Sequence, residues 1–184
     1  MKARVMYIAA AAFAAAALVV PLWGFSMSAP QYPDETLHLQ VERNGIVGDV
    51  HEIETLQHYV GVRFPTDIPE LKWATRAIVA SVGLLALGAL VGSGSAGHVY
   101  RVLCAAALVT FLVASAAVVQ ARLYQVGHDR DPHAPLRGMR NFTPPLVGPA
   151  RVGNFTVWSF PHAGAMLLLA AAALSVAGSR KACA

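Results

Sequence analysis

Imidazoles and carboxylates gather in two stretches of a chain otherwise poor in polar side chains. The first runs Gly48-Asp49-Val50-His51-Glu52-Ile53-Glu54-Thr55-Leu56-Gln57-His58-Tyr59-Val60-Gly61. On a helix, Ile53, Leu56 and Val60 form an apolar stripe, and His51, Glu54 and His58 share the neighbouring face. His51 and Glu54 (i, i+3) and Glu54 and His58 (i, i+4) can each share a ligand or a proton. His51 and His58 stand about 10 Å apart along the axis, too far for one ion to bridge. The second stretch is Gly127-His128-Asp129-Arg130-Asp131-Pro132-His133-Ala134-Pro135, with Met139 just beyond it. Imidazoles with a carboxylate or a thioether suit copper or zinc, and sulfur favours reduced copper. His-x4-His across Asp-Pro has no fixed metal spacing, so the competing reading is a solvated face, with His128 stacking or hydrogen-bonding to hold its loop.

The elements that must position these residues are membrane helices. Of 184 residues, 56% are hydrophobic and 13% charged, and the mean hydropathy is +0.51, too apolar for a soluble domain. Four spans are expected. Residues 1–25 form the first, a basic start to Arg4 and then the apolar stretch from Val5 to about Phe25, either an anchor or a signal peptide; its length and the Pro21-Leu22-Trp23 exit favour an anchor, with Trp23 at the interface. The second covers 77–92, the third 102–119 and the fourth 157–178, with 93–101 a tight turn and 179–184 a tail. Gly88 and Gly92 form a GxxxG that allows close helix approach. Arg101 flanks the third span, and no charge lies inside any of the four.

Between them lie two long polar loops. In residues 26–76, Leu37, Leu39 and Val41 alternate with His38, Gln40 and Glu42 as a half-buried strand. Asn44-Gly45 turns Ile46 and Val47 back as a hairpin. Asp49 then caps the short helix, Glu52 completes a capping box, Gly61 stops it, and Phe64-Pro65 starts a rigid descent. Residues 120–156 are rich in Pro and Gly and read as an irregular loop. The expected fold is therefore an all-α membrane protein of four transmembrane helices, with a small α/β cap formed by the two loops outside the membrane.

Placing both termini in the cytoplasm leaves Lys2, Arg4, Arg101, Arg180 and Lys181 inside and all ten acidic residues outside, which fits the positive-inside rule by density, with Lys72, Arg76 and Arg122 near the outer ends counting against it. Both loops then emerge on one side, where His58 or His51 can meet His128 or His133. The net charge of +4 is scattered or flanks spans, so nucleic acid is excluded as a partner. Cys104 and Cys183 form no disulfide or CxxC. No nucleophile with a partnered base, no phosphate loop and no HExxH is present, which disfavours an enzyme.

Several motifs together carry a resemblance: Pro21-Leu22-Trp23 with Ala29-Pro30-Gln31-Tyr32-Pro33, Gly48-Asp49 with His58-Tyr59-Val60-Gly61, and Gly127-His128-Asp129 with Asp131-Pro132-His133-Ala134-Pro135. Phe142-Thr143-Pro144-Pro145-Leu146 and Asn154-Phe155-Thr156 continue it. The chain resembles a family of bacterial multi-span membrane proteins associated with accessory systems for copper enzymes of the nitrous oxide reductase type. The likeness covers everything but the bulk of the spans. The family pattern usually has Asn before His-Tyr, where this chain has Gln57, and it ranks His58, His128 and His133 ahead of His51. The resemblance implies a multi-pass protein of the bacterial inner membrane with periplasmic loops, a copper-linked accessory role, and a membrane or periplasmic protein as partner besides the lipid bilayer. The alternative is a structural or scaffold subunit of a larger, respiratory-type membrane complex, with no metal of its own.

Overall fold

The computed structural model describes residues 2–29, 32–60, 68–92, 94–129 and 141–181. Gly61, Phe64-Pro65, His133, Met139 and Cys183 lie outside the described residues, as do the side chains of Leu56 through Val60, His58 among them. The chain is mostly helical, with three helices long and apolar enough to cross a membrane and a small antiparallel sheet. The helices are α1 (Lys2–Ala16), α2 (Val50–Val60), α3 (Pro69–Leu90), α4 (Ser95–His128) and α5 (Ala163–Lys181); the strands are β1 (Trp23–Ala29), β2 (Tyr32–Glu42), β3 (Gly45–Gly48), β4 (Gly148–Val152) and β5 (Phe155–Pro161).

The three apolar helices of spanning length are α3, α4 and α5. Helix α1 ends at Ala16 rather than near Phe25, because Leu18 and Val19 donate to carbonyls three residues back and Pro21 follows, with no N–H to continue the ladder. Its fifteen residues measure about 22 Å, short of a hydrocarbon core of about 30 Å. It is nonetheless packed into the bundle. Tyr7, Ala10, Ala14 and Ala17 form one buried stripe, and α1 packs most extensively against α5 and α3. Alanine at those positions lets the backbones close together.

The other expected spans shift in the same way. Helix α3 starts at Pro69, before the predicted 77, and α4 runs 34 residues, from 95 to 128. At about 51 Å it outreaches any bilayer core. The fourth begins at Ala163, because Phe155–Pro161 is a strand and not the start of a span. The second loop, expected to be irregular, supplies an extension of α4 and the hairpin β4–β5, closed by Gly153-Asn154 with Gly153 at φ 61°.

Both loops contribute to one sheet of order β3-β2-β1-β5-β4, all pairs antiparallel. The cap is therefore shared between the loops, as expected, but through one continuous sheet. The central strands continue the bundle, β1 leaving α1 and β5 entering α5. Their junction is clamped by Leu22 N–H on Val41, His162 N–H on Leu22 and Gly164 N–H on Pro21. The predicted Asn44-Gly45 hairpin is present, with Glu42 paired to Gly45. Helix α2 also forms as predicted, but the Asp49 carboxylate takes the His38 amide at 2.8 Å, so it fastens the helix to β2 instead of acting as a helix cap.

Strand alternation divides the sheet into two faces. Phe25, Met27, Leu37, Leu39 and Val157 enclose, with Ile53 of α2, an apolar void of about 30 Å³. This is the packed face. On the open face the register aligns His38, Ser26 and Trp158 in one row and Gln40, Gly24 and Phe160 in the next.

Arg101 is only 4% exposed, far from the interfacial anchor expected of it. It lies inside α4, and its guanidinium donates to the carbonyls of Gly88 (2.9 Å) and Val91 (2.7 Å). These belong to the C-terminal end of α3, where unpaired carbonyls carry partial negative charge. Tyr7 completes the joint, its hydroxyl donating to the Arg101 carbonyl at 2.6 Å. A Cβ on Gly88 would stand 2.7 Å from the Tyr7 ring, and one on Gly178 3.0 Å from it. The GxxxG thus makes room for an aromatic ring at Gly88, while Gly92 faces open space.

Candidate functional site

His128 occupies the last turn of α4. Side chains on a helix lean back toward its N-terminus, and the His128 ring does so, lying on the Tyr124 ring with centroids 3.9 Å apart and planes 16° from parallel. Its Nδ1 is 2.9 Å from the Tyr124 carbonyl. A carbonyl has no proton to give, so Nδ1 carries the hydrogen, and in the neutral ring the lone pair is left on Nε2. The stacking and hydrogen bond predicted as the alternative for His128 are therefore present. The same arrangement is what orients an imidazole for ligation through its other nitrogen. Tyr124 went unnoticed in the sequence, although Tyr-x3-His on a helix brings a ring and a carbonyl under the histidine.

The α4 terminus is joined to the packed face of the sheet by residues 141–147, which run back along the helix. Phe142 lies so close to Gly127 that a Cβ there would collide with its carbonyl oxygen, and Gln120 Nε2 donates to the Pro144 carbonyl at 3.1 Å. At the sheet, Ser159 Oγ donates to the Leu146 carbonyl and accepts from Trp23 Nε1, each at 2.8 Å. Ser159 and Trp23 share a face with Val157 and Phe25 by strand parity. Helix α2 packs on that face through Ile53. The two loops therefore emerge at one end of the bundle and meet on one side of one sheet, bringing α2 and the strap from α4 onto a common surface.

The other candidates fall as follows. His51 is exposed on the first turn of α2, and its carbonyl accepts from Thr55 Oγ1 at 3.1 Å; Glu54 is half-buried one turn on. His58 lies in the last turn of α2. His38 is exposed on the open face, as predicted. His162 precedes α5, where the carbonyl accepts from Met166 N–H, and its Nδ1 is buried without a hydrogen-bond partner. His98 stands on the first turn of α4, at the end of that helix opposite His128. Among the described residues, no three His, Cys, Asp or Glu side chains come together as a metal-binding group.

The described part of the site thus supplies one oriented imidazole donor. Any ion held there needs further donors, which the described residues do not bring together. Near the base of this region, Arg122 Nε donates to Glu70 Oε1 at 2.9 Å, joining α4 to the first turn of α3. No family model, curated protein or solved structure matches the chain.

Proposed function

We propose that the chain is a multi-pass accessory protein of the bacterial cytoplasmic membrane that holds copper at its extracytoplasmic end for delivery to a copper enzyme. In this reading α1 crosses the bilayer as a fourth span together with residues 17–22, seated between α3 and α5. Both termini are cytoplasmic, and the sheet, α2 and the α4 extension are periplasmic. His128 is the first copper ligand through Nε2, His58 and His133 complete the set, and Met139, His51 and Glu54 are its nearest auxiliaries. Zinc is the second choice, because imidazole serves both metals.

The observation that carries the reading is the His128 ring, held on Tyr124 with Nδ1 committed to a carbonyl. The shared packed face supports it by bringing α2 to the side of the sheet that α4 is strapped to. Elemental analysis of detergent-purified protein after copper loading tests it. Wild type retains copper, and His128→Ala and His58→Ala each lose most of it; equal copper in all three removes the site.

The scaffold reading draws on the same contact, since a ring that only fastens the end of α4 needs no metal. It predicts unchanged copper content, with loss of a co-purifying membrane protein on Tyr59→Ala or Trp158→Ala.

A further inference from the structure

The open face of the sheet carries large apolar side chains where a soluble cap has no use for them. Trp158 is 50% exposed, Phe160 36% and Val47 40%. Two features of the fold say what meets them. The opposite face is already covered by α2 and by the strap from α4, so the open face turns away from both. The strand that bears the aromatics also feeds directly into an apolar helix of spanning length, Phe160 standing three residues before Ala163, or about 10 Å of extended chain.

Along β1 and β5 polarity is graded in the same direction, while β2 carries Gln40 and Glu42 at the bundle end of the face. Toward the far end of the face the residues are Ser28, Thr36, Thr156 and Arg151, aligned in register. Next comes the row of His38, Ser26 and Trp158, and nearest the bundle Phe160, whose ring lies over Gly24, where a Cβ would stand 2.5 Å from it. Below it, in chain continuity, come the exposed apolar residues of the two helices that β1 and β5 extend: Val5 and Ile8 on α1, Met166 and Leu169 on α5. Aromatic side chains beside hydroxyls and imidazole, on an element that continues into a span, suit the headgroup layer, where rings with an apolar body and a polar edge are favoured.

We infer that the open face of the sheet is a membrane-interface surface, with Trp158 and Phe160 seated among phospholipid headgroups so that the cap leans on the bilayer instead of standing clear of it. The inference rests on the membrane reading proposed above, but not on copper.

The test reconstitutes the full chain in phosphatidylcholine vesicles whose acyl chains carry bromine either near the head or near the tail. The emission of Trp158 is taken as the difference between wild type and Trp158→Phe, a substitution at an exposed position that preserves an aromatic ring. That difference is expected to be blue-shifted, quenched more by the shallow bromines than by the deep ones, and shielded from aqueous acrylamide. A difference spectrum open to acrylamide and indifferent to bromine overturns the inference and makes the face a docking surface for glycan or protein. The Trp73→Phe difference separates the two levels, because Trp73 is 55% exposed on α3. Quenching of Trp73 without Trp158 sinks this inference alone, and quenching of neither sinks the membrane reading with it.

Discussion

At Tyr7 all four long helices meet. Its ring on α1 fills the space left by Gly88 of α3 and Gly178 of α5, and its hydroxyl bonds to the backbone of α4. Two substitutions separate its contributions. Tyr7→Phe removes one hydrogen bond and keeps the ring, a loss of about 0.5–1.5 kcal/mol. Gly88→Val drives a branched side chain into the ring from the α3 backbone, with an overpacking cost of about 1–3 kcal/mol. Thermal unfolding in detergent is expected to rank Gly88→Val below Tyr7→Phe, and Tyr7→Phe below wild type; the reverse order of the two variants removes the packing explanation. Of this joint only Gly88, through its GxxxG, was legible beforehand. A lone Tyr in an alanine-rich helix has no periodic signature, and Arg101 has the position and type of an ordinary interfacial anchor. His128 was half legible: its chemistry and its alternative were both written in the local residues, but its orientation needed the helix to continue nine residues past the predicted end of the span at Val119.

At the level of elements, most local signals were read correctly, the Asp49 cap being the exception, and long-range ones were not. Asn44-Gly45 produced its hairpin, and the Ile53 stripe produced a helix packed on the sheet. Strand β5 was missed because Val157-Trp158-Ser159-Phe160 is apolar enough to pass as the start of a span, and its partner β1 lies more than a hundred residues away in sequence. The early end of α1 was signalled by Pro21, but the hydropathy continuing through Trp23-Gly24-Phe25 hid it. The strap 141–147 had no periodicity at all and is placed by single contacts, which makes it sensitive to one methyl group. Gly127→Ala sets a Cβ against the Phe142 carbonyl, so the strap must lift and the Gln120 bond to Pro144 weakens. Losing one such bond, about 1 kcal/mol, raises local opening about fivefold. Hydrogen exchange is expected to quicken in residues 141–147 with the sheet unchanged; unaltered exchange there means that the strap is held elsewhere.

For the whole molecule, the proposed topology puts the sheet and the α3–α4 turn on opposite sides of the membrane. Asn44 and Ser95 are both exposed, one at the sheet and the other at the start of α4. In a chain with Cys104 and Cys183 replaced by alanine, Asn44→Cys is expected to react with an impermeant maleimide in intact cells, and Ser95→Cys only after permeabilisation. Equal labelling of both without permeabilisation contradicts a spanning bundle. The overall class, helices with a small polar cap at one end, could be read from composition and charge. That one sheet would unite the two loops could not, since strand order is a property of pairing and no single segment encodes it.

The pairing of β1 with β5 also constrains assembly. Strand β1 follows the first helix and β5 precedes the last, so the sheet's central seam joins segments that are synthesised far apart. Closing that seam carries the loop-closure cost of everything between them. Until it closes, β1 is the unpaired edge of the three-stranded sheet β3-β2-β1. A nascent chain that has delivered only its first three helices therefore waits with an open edge, and maturation of the cap reports that the last helix has arrived.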